Sequence, residues 1–99
     1  MKHIISNLNR VFENRIRLGA MSLLMVNDWV DFNTLKDNLG VTDGNLASHL
    51  STLEKNEYIE VQKQFVGKKP KTTYRATING RKAFKEHLDA LEKLIRPTE

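Results

Sequence analysis

A mainly α-helical domain with one small β-hairpin is predicted by three features of this sequence. Apolar residues recur at helical spacing in two short runs, Leu35 with Leu39 and Leu46 with Leu50 and Leu53, separated by a glycine-containing turn and a capping residue, Thr42. After Asn56-Glu57 the apolar period changes from about 3.6 to about 2, as expected of extended chain. Beyond that, Phe84, Leu88, Leu91 and Ile95 restore helical spacing along a long final stripe.

Residues 1–13 predict a short amphipathic helix, with Ile4, Ile5, Leu8, Val11 and Phe12 apolar and Lys2 and Arg10 among the polar positions. Such a helix needs a dock, on its own domain or on a second copy. Asn14 either caps a new turn or lies within a longer, bent helix. Arg15–Val26 reads as a helix with Ile16, Ala20, Leu23 and Leu24 inward, supported by Leu18 and Met21, and ended by Asn27-Asp28. Trp29–Phe32 is too short for a helix and suits an extended connector or an edge strand, with Trp29 packed beneath it. Asn33 is expected to cap the next helix, and Gly40 stands where a left-handed residue would end it.

Residues 33–56 therefore predict a helix-turn-helix. Ile59, Val61 and Phe65 alternate with Glu60, Gln62 and Gln64, and Lys71–Ala76 alternates likewise. Between them Val66-Gly67-Lys68-Lys69-Pro70 reads as the tip of a hairpin over residues 58–76. Thr77 caps a final helix, 77–96, that stops before Pro97. Its stripe approximates a heptad seam and carries more apolar surface than one small domain covers. With no repeat, low-complexity run or linker, residues 1–99 read as one domain.

Ninety-nine residues, 39% apolar and 28% charged, suffice for a modest core without metal or disulfide staples. The lack of cysteine excludes disulfides, thiolate zinc sites and thiol nucleophiles, and fits a reducing compartment. Apolar runs of only a few residues hold no membrane span or signal-peptide core, so a cytoplasmic location and no membrane partner are expected. A net charge of +4 points to an anionic partner. The charge is placed unevenly: Lys63, Lys68, Lys69, Lys71 and Arg75 crowd the hairpin with no acidic residue between Val61 and Ala76. Val41–Asn56 carries only Asp43 and Glu54 against Lys55.

Half a turn from Leu46, Leu50 and Leu53 stand Gly44, Ser48, Ser51 and Lys55, flanked by Asn45 and Thr52. A helix shaped only for solubility carries more Lys and Glu there. This face is small and rich in hydrogen-bonding groups, and Gly44 lets another surface come near the backbone. The reading is a DNA recognition helix; an ordinary surface helix is the alternative. The expected DNA-binding residues are thus Thr42, Gly44, Asn45, Ser48, Ser51, Thr52 and Lys55, joined by Lys63, Lys68, Lys69, Lys71 and Arg75 of the hairpin. Arg15, Arg17 and Lys36 are candidates for phosphate contact or for surface ion pairs. His49, between the core stripe and the outer face, reads as a packed or hydrogen-bonded histidine before a base contact.

Helix, helix-turn-helix, hairpin, helix is the order of a winged-helix domain. Several runs also resemble the prokaryotic MarR-like and ArsR-like transcriptional regulators, and most closely a compact, single-domain subgroup. They are Asn14–Leu18, Leu23-Leu24, Leu35 with Leu39-Gly40, Leu46 with Ser48-His49-Leu50 and Leu53-Glu54, Tyr58–Val61, and Tyr74–Phe84. The resemblance covers nearly the whole chain. It implies a sequence-specific regulator of double-stranded DNA acting as a homodimer, with Leu46–Asn56 in the major groove and the hairpin tip on the neighbouring backbone or minor groove. It also implies a dimer contact through the terminal helices, for which Ile4, Ile5, Leu8, Val11, Phe12, Phe84, Leu88, Leu91 and Ile95 are the apolar candidates. The helix offers no arginine for guanine, so recognition is expected to lean on Asn contacts to adenine, thymine methyls and DNA shape.

Other classes find less support. No glycine-rich phosphate loop, HExxH, G-x-S-x-G or cysteine nucleophile is present, so an enzyme is not expected. His87 and Asp89, with His3, are too few ligands for metal sensing, and no cofactor or metal is expected. A winged helix serving as a protein-interaction module is the alternative function. A ligand-gated repressor is a third, with any small-molecule effector unknown.

Overall fold

Each of the four helices starts on a side chain that accepts an otherwise orphaned backbone N–H. In the computed structural model, which describes residues 3–96, these helices are α1 (Arg15–Val26), α2 (Phe32–Leu39), α3 (Asp43–Lys55) and α4 (Ile78–Ile95). Asn14 accepts from Ile16 and Arg17, Asp31 from Thr34, Thr42 from Asn45, and Thr77 from Gly80. Asn14 thus opens a new helix and does not sit within a longer one. The cap of α2 is Asp31, two residues before the expected Asn33, because the chain leaves strand β1 (Val30–Asp31) directly into the helix. Gly40 ends α2 at φ +63°, as its position suggested.

Strands β2 (Ile59–Val66) and β3 (Lys69–Ala76) form the hairpin, and β1 adds to the far side of β3 in the order β1-β3-β2, all antiparallel. The turn is tighter than the five-residue tip expected. Only Gly67 and Lys68 lie between the strands, and Gly67 at φ +67° supplies the left-handed first turn position. Pro70 lies within β3 opposite Phe65. Val66 and Lys69 close the turn as the hydrogen-bonded pair, so the next pair is the non-bonded kind, where a proline forfeits no cross-strand bond.

The expected N-terminal helix does not form as an α-helix. Within its described part, Asn9 caps a single 3-10 turn, Arg10–Phe12, preceded by turns over residues 4–7; Met1 and Lys2 lie outside the described residues, as does Pro97. This segment is held by side chains. The backbone N–H of Asn9 donates to His87 Nδ1 at 2.9 Å, and its side-chain amide donates to the Tyr58 hydroxyl at 2.9 Å. Phe12 stacks on Tyr58 at 5.2 Å, meets Phe84 edge-on at 5.1 Å, and touches the His87 ring.

The core joins Ala20, Met21 and Leu24 of α1, Leu35 of α2, Leu46, Leu50 and Leu53 of α3, Ile59, Tyr74 and Ala76 of the sheet, Phe12 and Phe84. All three leucines of the α3 stripe are buried. Two connections aim α4. Arg81 donates to the α1 carbonyls of Met25 at 3.1 Å and Leu24 at 3.4 Å, placing a cation at the negative end of that helix. At the other contact, α3 ends with Glu57 at φ +61°, the N–H of Tyr58 bonded to Leu53 O and that of Glu57 to Glu54 O, a Schellman end. Thr77 then closes onto it: its N–H donates to Tyr58 O at 3.0 Å and its hydroxyl to Glu57 O at 2.7 Å. Gly80 sits so close that a Cβ there would lie 2.0 Å from Tyr58 O.

The chain is elongated, 58 × 25 × 21 Å with a radius of gyration of 15.1 Å. A compact chain of this length has about 13 Å. The outer part of the hairpin, from Lys63 to Lys71, is exposed throughout, as is most of the last turn and a half of α4 after Ala90.

Two opposite stability effects are expected at this junction. Gly80→Ala pushes a methyl into a backbone carbonyl and should cost at least about 2 kcal/mol. Glu57→Gly relieves a left-handed residue and should gain up to about 1 kcal/mol after the added chain entropy. Urea unfolding of both variants checks the signs.

Candidate nucleic-acid interface

Because α3 buries Leu46, Leu50 and Leu53, its opposite side must face outward. Thr42, Gly44, Asn45, Ser48 and Lys55 are exposed, and Ser51 and Thr52 are half-exposed. Thr42 is engaged as the cap, and the Thr52 hydroxyl bonds back to Ser48 O at 3.3 Å. A Cβ at Gly44 would meet nothing within 4 Å, so no packing within the chain demands glycine in this helix turn. Its cost in helix propensity is offset by nothing inside the molecule.

The hairpin register sorts the lysines. Paired residues share a face, and faces alternate along a strand. Lys63 falls with Phe65, Pro70 and Thr72 on the face that continues from the buried Ile59, Tyr74 and Ala76. Lys69 and Lys71 fall on the opposite face with Gln62 and Gln64, and Lys68 is in the turn. The tip is therefore cationic on both sides. All four lysines are exposed and make no ion pair among the described residues.

Arg75, unlike the four lysines, has partners within the chain. It lies opposite Glu60, to which its Nε donates at 2.8 Å and its Nη2 also bonds. Its Nη1 stands 3.7 Å from Asp28, and its guanidinium lies 4.5 Å over the Trp29 ring. The charge is neutralised where the sheet meets β1, so Arg75 is a brace at the hairpin base and no free cation. Its partners lie far from it in the sequence, and only the strand register reveals them. Trp29 is half-buried outside the core cluster, with this cation as its neighbour.

Two further cations are engaged internally. Lys36 Nζ pairs with Asp43 at 2.7 Å, across the turn joining α2 to α3. Arg17 donates from Nε to Val11 O at 2.6 Å and from Nη1 to His49 Nδ1 at 2.8 Å, tying the N-terminal segment to α3. His49 is thus a hydrogen-bonded histidine. Burial first, and the Arg17 charge second, make its ring harder to protonate. His87, turned into the core, is likewise lowered by burial, partly opposed by Glu13. The Asp31 carboxylate that caps α2 is held below the ordinary aspartate range, first by its bonds to Thr34 and also by Lys71, which leaves it a secure anion at neutral pH.

The apolar residues expected at a dimer contact divide into two groups. Phe12 and Phe84 are buried within their own chain and have no surface to offer, because Tyr58 and His87 close around them. Val11 packs half-buried against the core, and Leu8 is half-buried. Ile4, Ile5, Leu88, Leu91 and Ile95 remain exposed, Ile95 to 79%. On α4 the inward positions are Gly80, Phe84, His87 and Ala90, and the exposed leucines flank them.

Among the described residues no helix is long and apolar enough to cross a membrane, and no group of three or more His, Asp or Glu could hold a metal ion.

Among the described residues, four α-helices and a three-stranded antiparallel sheet whose basic hairpin protrudes define a winged helix. The sequence pattern of the winged helix DNA-binding domain family matches residues 16–95, and the chain belongs to that family. An uncharacterised protein of Methanocaldococcus jannaschii is 33% identical over 90 residues, which cover 91% of this chain and 98% of its own. Among solved structures, a transcriptional regulator homologue from Pyrococcus horikoshii OT3 superposes with a TM-score of 0.83 at 29% identity, over 94% of this chain and 90% of that one. A zinc-responsive MarR family member, ZitR of Lactococcus lactis, shares the fold with a TM-score of 0.67 at 14% identity, over 97% of this chain and 63% of that one. The resemblance to MarR-like regulators read from the sequence is met in the fold.

The two histidines set a pH dependence. Both accept at Nδ1 and bind protons less readily in the fold than at the ordinary value near 6.5. Their contribution is complete above that value and is lost as the pH falls below it, since the unfolded chain then takes up protons that the fold refuses. Thermal midpoints measured from pH 7.5 to 5 should fall most steeply below 6.5. His87→Asn, which keeps an acceptor but does not titrate, should flatten that decline even where its midpoint at pH 7.5 is lower.

Proposed function

We propose that this protein is a transcriptional regulator that binds specific sites in double-stranded DNA as a homodimer. On this reading α3 enters the major groove and the hairpin lysines lie on the flanking phosphates. The observation that carries it is the pairing of an open, nearly uncharged helix face, with a glycine that no internal contact explains, beside a finger of four unpaired lysines. Short neutral donors and acceptors can reach base edges at close approach, Asn pairing with adenine and Ser or Thr with either partner. Lysines suit the backbone, where position matters and sequence does not. The family to which the chain belongs and the transcriptional regulator homologue from Pyrococcus horikoshii support the same reading.

Arg75, Arg17 and Lys36 act inside the protein in this scheme. Phosphate contact rests on Lys63, Lys68, Lys69 and Lys71, and base contact on Asn45, Ser48, Ser51 and Thr52. Lys55 and Thr42 flank the two ends of the reading face. Dimerisation is supported by the exposed Leu88, Leu91 and Ile95, which flank the inward face of α4, together with Ile4 and Ile5. A two-fold pair of winged helices would set its recognition helices about 34–36 Å apart, one turn of duplex.

Sites selected from random duplex DNA should be imperfect inverted repeats. In gel-shift titrations on such a site, Lys68→Ala/Lys69→Ala should weaken binding to all sequences and reduce the slope of log affinity against log salt by about 2. Asn45→Ala or Ser48→Ala should change which bases are preferred and leave that slope alone. Gly44→Ala should stabilise the fold by about 0.5–1 kcal/mol while weakening DNA binding, the split expected of a glycine kept for a partner's approach. Light scattering at micromolar concentration should return twice the chain mass; a monomer would end the dimer proposal.

A further inference from the structure

Two exposed apolar side chains near the hairpin tip, Phe65 and the smaller Val66 on the opposite face, are not used by phosphate binding. Phe65 is 73% exposed, one residue pair from the turn, opposite the exposed Pro70. It belongs to the strand face that holds the core at Ile59 and Tyr74, but the core ends at the half-buried Val61. Four residues further along an extended strand place the ring about 13 Å beyond that point. No aromatic ring of the described residues stacks on it, and the hairpin does not fold back over it. Its neighbours on the same face are Lys63 and Thr72, and Lys68 and Lys69 lie at the turn.

We infer that Phe65, stiffened by Pro70 across the hairpin, is an apolar wedge that lies against the sugar walls of the DNA minor groove while the surrounding lysines hold the phosphates on either side. The inference rests on the DNA-binding reading above and adds a contact of a different chemical kind. The occupant follows from charge and shape together. Four unpaired lysines and no acidic residue between Val61 and Ala76 make the tip unsuited to a second, equally cationic tip and suited to a polyanion. A phenyl ring gains nothing from phosphate. The apolar surface nearest the phosphates is the deoxyribose lining the minor groove, where wedge side chains of this type are accommodated. The proline limits the wobble of the ring's neighbour, and the non-bonded pairing brings the two side chains close.

An apolar contact releases no counterions, which separates it from the lysines. Phe65→Ala should weaken binding to a selected duplex site by about tenfold or more, with the salt slope unchanged and the circular dichroism spectrum of the free protein unaltered. Phe65→Leu should recover part of the loss. On the same duplex with its minor groove filled by a groove-binding polyamide, wild type and Phe65→Ala should bind alike. Equal affinity of the two proteins for free duplex, a difference that persists with the groove filled, or a changed oligomeric mass in Phe65→Ala would each overturn the wedge and leave the DNA-binding reading standing. No shift of any duplex by the wild-type protein at low salt would overturn both.

Discussion

The contact between Gly80 and the carbonyl of Tyr58 governs the geometry of everything around it. Two helices and a hairpin meet there: α3 ends at Lys55, β2 begins at Ile59, and α4 starts at Ile78. Because Gly80 has no side chain, the first turn of α4 rests on the backbone that has just left α3. Thr77 fastens both, bonding to Glu57 and Tyr58 while capping its own helix. The angle of the long helix to α3 is thereby set by backbone atoms, which cannot swing as side chains do. Tyr58 passes the constraint onward, since its ring and hydroxyl hold Phe12 and Asn9 of the N-terminal segment.

That arrangement gives the proposed interface a rigid base. The reading face of α3 is fixed from within by three buried leucines, at its start by Thr42 and the Lys36–Asp43 pair, at its middle by His49 on Arg17, and at its end by the Schellman turn. The hairpin is braced at its root by Arg75 among Glu60, Asp28 and Trp29. The side chains left free of internal partners are small ones on α3 and lysines at the tip. Cations near the root are bound, whereas cations further out are available. This gradient from brace to contact is a physical basis for separating the residues that shape the molecule from those proposed to touch DNA.

Much of this was legible in the sequence where the signal is local. Thr42, Thr77 and Gly40 act as their positions suggested, because caps and left-handed glycines depend on a few neighbouring backbone groups. The leucine stripe of α3 and the period change after Asn56 hold for the same reason. Readings failed where the deciding partner is distant. Residues 3–13 have helical spacing, yet Asn9 and Phe12 find better partners in Tyr58, Phe84 and His87 than a helix would give them. Asn33 and Asp31 are equally good caps by composition, and pairing of β1 with Thr73 and Tyr74 decides for Asp31. The fate of Arg75 depends on the hairpin register, and that of Arg17 on a histidine of another helix. The stripe on α4 was seen, but which of its members face the chain's own core was not, since Phe84 and Leu88 look alike until Phe12 is placed.

β1 pairs with β3 only at Thr73 and Tyr74, so from Lys69 to Thr72 the outer edge of β3 is left open, as is the outer edge of β2. Bare strand edges of this length invite edge-to-edge growth into fibrous aggregates. Here Pro70 interrupts the row of donors on one strand, and like charges from Lys63, Lys68, Lys69 and Lys71 push neighbouring copies apart. The same composition that suits the finger to a polyanion therefore also keeps crowded, unoccupied molecules from zipping together through their sheets.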